Sequence, residues 1–221
     1  MLYDNAIASI VNDEMVIDPS NIVWFNRILN TKLIEIDNNK IEVHSSIAST
    51  EGKYLFNLIK THRFKNVLEI GMSYGITTVF MAMAMKSTYD TSKNGHIFSI
   101  DPYQKTKWNN VGMRLIEHAN CSSFHTLIKK KSMEALIDLK TKGKKFDFIF
   151  IDDWNTFDHT LIDFFLCNFL IEIYGMIIIN NALKPGISNV ILYIRSNYLH
   201  YKYVRQENKN IAVFTKLKND K

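Results

Sequence analysis

The chain has 221 residues, 47% of them hydrophobic, enough for one well-buried core and one domain. It contains no run of about 18 uncharged apolar residues, so a membrane span is not expected, and its first residues lack the basic-then-apolar pattern of a secretory signal. The net charge of +5 does not by itself announce a nucleic-acid surface, because the lysines are dispersed except at Lys129–Lys131 and at Lys142, Lys144 and Lys145, where solvated lysine at element edges is ordinary.

Cys121 and Cys167 have no Cys-x-x-Cys spacing and read as reduced core thiols of a cytoplasmic protein. No metal site is expected at them. In chain order, residues 22–29 follow Pro19-Ser20 with an apolar face and predict a helix capped by Ser20. Residues 33–36 and 41–43 alternate around Asn38-Asn39 and predict a small hairpin. Residues 51–62 carry Tyr54, Leu55, Leu58 and Ile59 at helical spacing, with Thr50 as the expected cap. No linker separates residues 1–50 from the rest, so they read as an N-terminal appendage whose apolar side chains are a candidate lid or homodimer surface.

From residue 66 the pattern alternates. Strands are expected at 66–70, 96–101, 123–128, 146–152, 176–181, 201–205 and 211–215, and helices at 76–86, 108–119, 132–140, 157–171 and 187–197. Several strands are near-continuous apolar runs, as when helices cover both sheet faces. That predicts a doubly wound α/β domain over residues 51–221 with a mostly parallel seven-stranded sheet. About five residues separate the last two strands, too few for a crossover helix, so these form an antiparallel hairpin.

Leu68-Glu69-Ile70-Gly71-Met72-Ser73-Tyr74-Gly75 is the most informative stretch. A strand that enters a glycine turn and then a helix gathers backbone N–H groups and the positive end of a helix dipole at one point. Glycine allows the sharp turn and the close approach of a ligand. About 30 residues on, Asp101 ends the second of these strands, near the spacing at which a carboxylate meets a ribose diol; a turn aspartate before Pro102 is the plain alternative. The same stretch matches a Gly-x-Ser-x-Gly nucleophile elbow, with Asp152 or Asp158 and His159 or His200 as nominal partners, but it opens the first strand–helix unit and no glycine-rich oxyanion loop precedes it. Glu69 places a carboxylate beside the turn, which suits a cationic ligand group better than a pyrophosphate.

Together with Ser99-Ile-Asp-Pro-Tyr-Gln104, Trp108, Gly112, Phe146–Asp152, Trp154–Phe165 and Lys184-Pro185, this stretch resembles a class I S-adenosylmethionine-dependent methyltransferase of the small-molecule O-methyltransferase-like branch. The resemblance runs from about residue 50 to the C-terminus and implies a Rossmann-like sheet with a reversed terminal hairpin. It implies S-adenosylmethionine as cofactor and methyl transfer to a small-molecule acceptor at oxygen; the dispersed lysines and the lack of a long apolar run argue against nucleic-acid and membrane partners. By position, Glu69, Gly71, Ser73 and Gly75 would hold the methionine part and Asp101 the ribose. Ser132 and Met133 would lie beside the adenine, and Asp152 near the sulfonium as the catalytic candidate. Helix capping is an equal reading for Ser132, as core packing is for Met133.

The chain departs from the family pattern at three neutral amides. Asn155 stands where a histidine is typical, and Asn180-Asn181 stand where paired aspartates end the fifth of these strands. Asp153 replaces a glycine. Asp152 with two amides is a poor octahedral magnesium site, so no metal is expected, and a catalytically degenerate fold acting as a binding protein is the alternative function. Trp154, Phe157 and His159 are candidate substrate contacts, or a packing hinge and a surface histidine. Tyr103 and Trp108 are candidate covers for cofactor or substrate.

Overall fold

A computed structural model of the chain describes residues 19–36, 39–44, 46–206 and 209–219. A single 3-10 turn at Pro19–Asn21 leads into α1 (Val23–Thr31), followed by the hairpin strands β1 (Leu33–Ile36) and β2 (Asn39–Glu42) and by α2 (Ser49–His62). The alternating part then runs β3 (Asn66–Ile70), α3 (Ile76–Thr88), β4 (His96–Ile100), α4 (Val111–His118), β5 (His125–Ile128), α5 (Ser132–Thr141), β6 (Phe146–Ile151), α6 (Phe157–Asn168), β7 (Ile171–Asn180), α7 (Pro185–Asn197), β8 (Tyr201–Arg205) and β9 (Ile211–Lys216).

Seven strands form one sheet in the order β5-β4-β3-β6-β7-β9-β8. All neighbours from β5 to β7 are parallel, and β9 inserts antiparallel between β7 and β8. This is the expected sheet, terminal hairpin included. Sequence alternation decides which face each side chain covers. In β6, Phe148 and Phe150 join the core beneath α2 and α3, whereas Ile149 and Ile151 join the opposite core beneath α5, α6 and α7; Phe146, on the far side of a register shift, breaks the alternation and joins that opposite core too. Helix α3 is buried along most of its length, from Ile76 to Met85, and α2 packs closely on it: a Cβ on Gly52 would run into the Phe80 ring.

Residues 19–50 are not peripheral to this core. Phe25, Ile28, Leu29, Ile34, Val43 and Ile47 are buried in the cluster that includes α3, and Glu51 Oε1 accepts the Asn210 N–H at 2.6 Å. Both expected caps differ from the structure. Ile22 and Ala48 occupy the N-cap positions of α1 and α2, and Glu51 reaches back to accept the Ala48 N–H at 3.2 Å. The expected helix over 157–171 ends at Asn168, and β7 begins five residues earlier than its apolar run. Ile171 pairs with Phe146, the strand then slips register, and Met176 pairs with Phe148. Polar residues in that slip, Glu172 and Tyr174, hide the strand from a periodicity reading.

Candidate active site

The strand order reverses at β3, whose neighbours are β4 and β6, and such a switch point opens a crevice beyond the carboxyl ends of the strands. A cavity of about 440 Å³ lies there, lined by Gly71, Ser73, Asp101, Asp152, Asn155 and Asn181 among others. A second cavity of about 460 Å³ adjoins it and contains Ser132, Met133 and Asp163. The two share Pro102, Tyr103, Asp153 and Trp154 as a common wall.

The glycine turn is built by close approach. Gly71 has φ +92°, and a Cβ there would fall on the Asp152 carbonyl, 2.9 Å from its carbon. That hairline gap lets the ends of β3 and β6 meet beside the cavity. Ser73, at φ +50°, donates its N–H to Asp101 Oδ2 at 2.8 Å, and Gln104 Nε2 donates to the Ser73 carbonyl at 2.6 Å. Asp101, 4% exposed, also accepts the Tyr103 N–H on Oδ1 at 2.7 Å. The carboxylate expected on a ribose is therefore also the clasp that shapes the turn.

Two of the sequence-derived residues stand apart from the cavity. Glu69 lies beneath it, on the α3 face of the sheet, where Oε2 accepts the hydroxyls of Thr78 at 2.7 Å and Ser99 at 2.6 Å. Burial raises its pKa to about 8, and its other oxygen, Oε1, is buried without a hydrogen-bond partner. Gly75 caps α3 with a left-handed backbone, and its Cβ would come within 2.6 Å of Gly112 Cα. Its smallness serves the crossing of α3 and α4. The nucleophile-elbow reading fails on the same turn: the buried Ser73 hydroxyl has no hydrogen-bond partner, so no histidine is in place to activate it.

Asp152 follows β6 and is half-buried; desolvation raises its pKa to about 7, against hydrogen bonds from Asn180 and Asn155 and the nearby Lys184 charge. Asn181 Nδ2 also donates to its Oδ1 at 3.2 Å and to Asn155 Oδ1 at 2.8 Å. The three amides that depart from the family pattern thus surround this one carboxylate. Left-handed backbone at Trp154 and Asn155, φ +47° and +56°, turns the chain out of β6 and leaves Trp154 55% exposed at the mouth. There it stacks on His159, with centroids 5.4 Å apart. Lys107 Nζ stands 4.2 Å from the Tyr103 ring centroid and 5.5 Å from that of Trp154. Trp108 and Tyr103 line the first cavity, His159 the second, and Phe157 neither.

Ser132 is not a cap. Lys131 holds the N-cap of α5, and the Ser132 side chain hydrogen-bonds Asp163. Met133 is 52% exposed, outside the core. Sequence reasoning missed His44 and Ser46, which reach the first cavity from the segment after β2; His44 Nε2 lies 2.8 Å from Tyr74 Oη. Nothing in the local pattern marks His44. Asp163 was missed as well, although a charged residue inside an apolar helix run is a signal that could have found it.

Three acids with raised pKa values fix a pH dependence. Glu69, Asp152 and Asp163 have folded pKa values raised to about 8, 7 and 7, from 4.5 for the first and 3.8 for the others. A group raised on folding adds stability at low pH that is lost as pH climbs through the folded value. His125, buried and lowered to about 4 from 6.5, acts in the opposite sense but only below 6.5. Between pH 6.5 and 8 the thermal midpoint is therefore expected to fall, and Glu69→Gln should flatten the slope. A midpoint that rises across this window would contradict neutral buried carboxyls.

Residues 68–182 match a methyltransferase domain family. A catechol O-methyltransferase of Niastella koreensis is 31% identical over 108 residues, which are 48% of this chain and 45% of that protein. The match thus spans about half the length of that curated relative. Among solved structures, an O-methyltransferase from Bacillus cereus in complex with S-adenosylhomocysteine superposes with a TM-score of 0.68 at 16% identity, covering 99% of this chain and 98% of the other. An O-methyltransferase from Streptomyces achromogenes, involved in tomaymycin synthesis and bound to S-adenosylmethionine, gives 0.66 at 14% identity over 98% and 96% of the two chains. At these identities the likeness is one of fold. No described helix is long and apolar enough to cross a membrane.

Proposed function

The chain belongs to the methyltransferase domain family, and from that membership we propose that it transfers a methyl group from S-adenosylmethionine to an oxygen of a small-molecule acceptor. The observation that carries this reading is the convergence of Gly71, Asp101 and Asp152 on one cavity where β3, β4 and β6 end. The residues fit the cofactor. Gly71 lets the backbone at the end of β6 close into the space a side chain would fill and still lines the cavity, Ser73 offers a buried, unpartnered hydroxyl, and Asp101 brings a carboxyl to the cavity wall. Asp101 would hold the ribose, Ser73 the methionine part, and Met133 would lie against the adenine.

S-adenosylmethionine supplies a methyl already activated on a sulfonium, so positioning does much of the catalytic work. What remains is removal of the acceptor proton. Asp152 is suited to that step because burial brings its pKa near neutrality, where a carboxylate is a stronger base and still ionises. The surrounding amides hold its orientation, and Lys184 favours its ionised form. Asp152 among neutral amides, with Asp153 as the neighbouring carboxyl, is a weak magnesium donor set, so this reading needs no metal.

A binding protein derived from a methyltransferase would share these features except turnover; Asn155, Asn180 and Asn181 motivate that alternative. Methyl-labelled S-adenosylmethionine incubated with a panel of catechols and other phenols, with and without magnesium, separates the two. Label in an acceptor, without need of magnesium, is the expected result. Failure across the panel by a protein that binds the cofactor would favour the binding role.

A further inference from the structure

The amides around Asp152 restrict how much of an acceptor the carboxyl can hold. Asn180 and Asn155 hydrogen-bond it, and Asn181 Nδ2 donates to Oδ1 at 3.2 Å. In its ionised, reacting form a carboxylate has about four acceptor sites. With three of them taken by amides, roughly one is left for a hydroxyl of the acceptor molecule.

The oxygens that could meet a second hydroxyl face protein groups instead. Asn155 Oδ1 accepts Asn181 Nδ2 at 2.8 Å, and Asn181 Oδ1 accepts Asn210 Nδ2 at 3.4 Å. Asn210 is itself held, donating its N–H to Glu51 Oε1 at 2.6 Å and accepting the Leu183 N–H on Oδ1 at 2.8 Å. Asp153 has Oδ1 on the Trp154 N–H at 3.0 Å. At the far end of the cavity, His44 is engaged with Tyr74 and Ser46 with Lys32. Much of the remaining wall is the ring surface of Tyr103, Trp108 and Trp154, which suits a flat aromatic body. A divalent cation would gather two adjacent acceptor oxygens, but it needs several charged oxygens free to turn toward it, and this closed amide network does not fit it.

We propose that the site takes one phenolic hydroxyl and does not read its neighbour, so that monohydric phenols are acceptors on nearly equal terms with catechols. The assignment rests on the methyl-transfer reading above and goes beyond it by naming the acceptor class. In the step, the phenolic proton passes to Asp152 and the oxygen forms its bond to the methyl carbon. The carbon–sulfur bond breaks with its electron pair going to sulfur, which leaves as the thioether of S-adenosylhomocysteine. A second hydroxyl takes no part.

The test is a matched pair, 4-methylphenol and 4-methylcatechol, assayed with wild-type protein and S-adenosylmethionine in EDTA and again with magnesium. The phenol's kcat/KM should lie no more than about tenfold below the catechol's, because only a site that hydrogen-bonds the missing hydroxyl rejects such an analogue by roughly 10⁴-fold. Magnesium should change that ratio by less than about threefold. A larger preference for the catechol, or catechol transfer that needs magnesium, would overturn the acceptor class while leaving methyl transfer intact. Transfer to neither would overturn it too, and titration with S-adenosylhomocysteine would then decide whether the cofactor reading falls with it. A double variant, Asn180→Asp with Asn181→Asp, tests the cause: it should acquire a magnesium-dependent preference for the catechol of at least about tenfold. An unchanged ratio in a variant that still binds S-adenosylhomocysteine would overturn the amides as its source. The wild-type comparison stands even if the variant does not fold.

Discussion

Asp152→Asn is expected to lower the turnover number for methyl transfer by about 10²–10⁴-fold, the range a positioned general base contributes, while S-adenosylhomocysteine affinity changes little. The change keeps the side chain's size and one carbonyl oxygen for the surrounding amides but removes the group that can take a proton. Wild-type turnover should rise with pH and level off above about 7, where Asp152 becomes ionised, because the deprotonated form is the base. The variant's residual rate should lack that inflection. Folding gives an independent control. Burial disfavours the ionised carboxylate, so the neutral variant should unfold no earlier than wild type at pH 8. A variant with undiminished turnover and the same pH profile would remove Asp152 from the chemistry.

Gly71→Ala is expected to destabilise the protein by about 2–5 kcal/mol, from left-handed strain together with overpacking. For a chain of this size that is a fall of roughly 4–20 °C in the thermal midpoint. The positive φ alone disfavours any side chain, and the clash is worse because it is with backbone. The Asp152 carbonyl carbon and Asp153 Cα lie 2.9 and 3.2 Å from the ideal Cβ. Neither can move without shifting the end of β6, which carries Asp152. Cofactor affinity should therefore fall by at least about 100-fold at temperatures where the variant is still folded. Circular dichroism melting and titration with S-adenosylhomocysteine check the two effects separately. A variant with wild-type stability would show that the turn tolerates a side chain and that close approach is not its purpose.

The alternating part of the fold was readable because its strands are short apolar runs bounded by turn residues, and because a five-residue connection forces β8 and β9 to be antiparallel. The start of β7 was hidden where Glu172 and Tyr174 break the apolar run during a register slip. Helix caps were misread at Ser20 and Thr50 because a good capping residue nearby is not necessarily the one the chain uses. For the site, the glycine turn and the spacing to Asp101 pointed to two residues, and the family resemblance to Asp152, that the structure brings to one cavity. Neither signal could show that Glu69 turns to the opposite side of the turn, toward Thr78 and Ser99, since a strand residue's face depends on register and its partners come from other strands. His44 was invisible for the same reason. Its place at the cavity depends on a segment packing across the sheet, with Phe25 and Ile34 buried beneath α3, and no local pattern encodes that. Asp163 carried a signal, a charge within an apolar helix, but its meaning depended on the cavity.

The most direct measurement is calorimetric titration of ligand-free protein with S-adenosylmethionine and S-adenosylhomocysteine, each with and without magnesium. Saturable micromolar binding of both, unchanged by magnesium, is the predicted result. No binding at millimolar ligand would contradict the proposed cofactor site, and binding that requires magnesium would contradict the metal-free site built around Asp152.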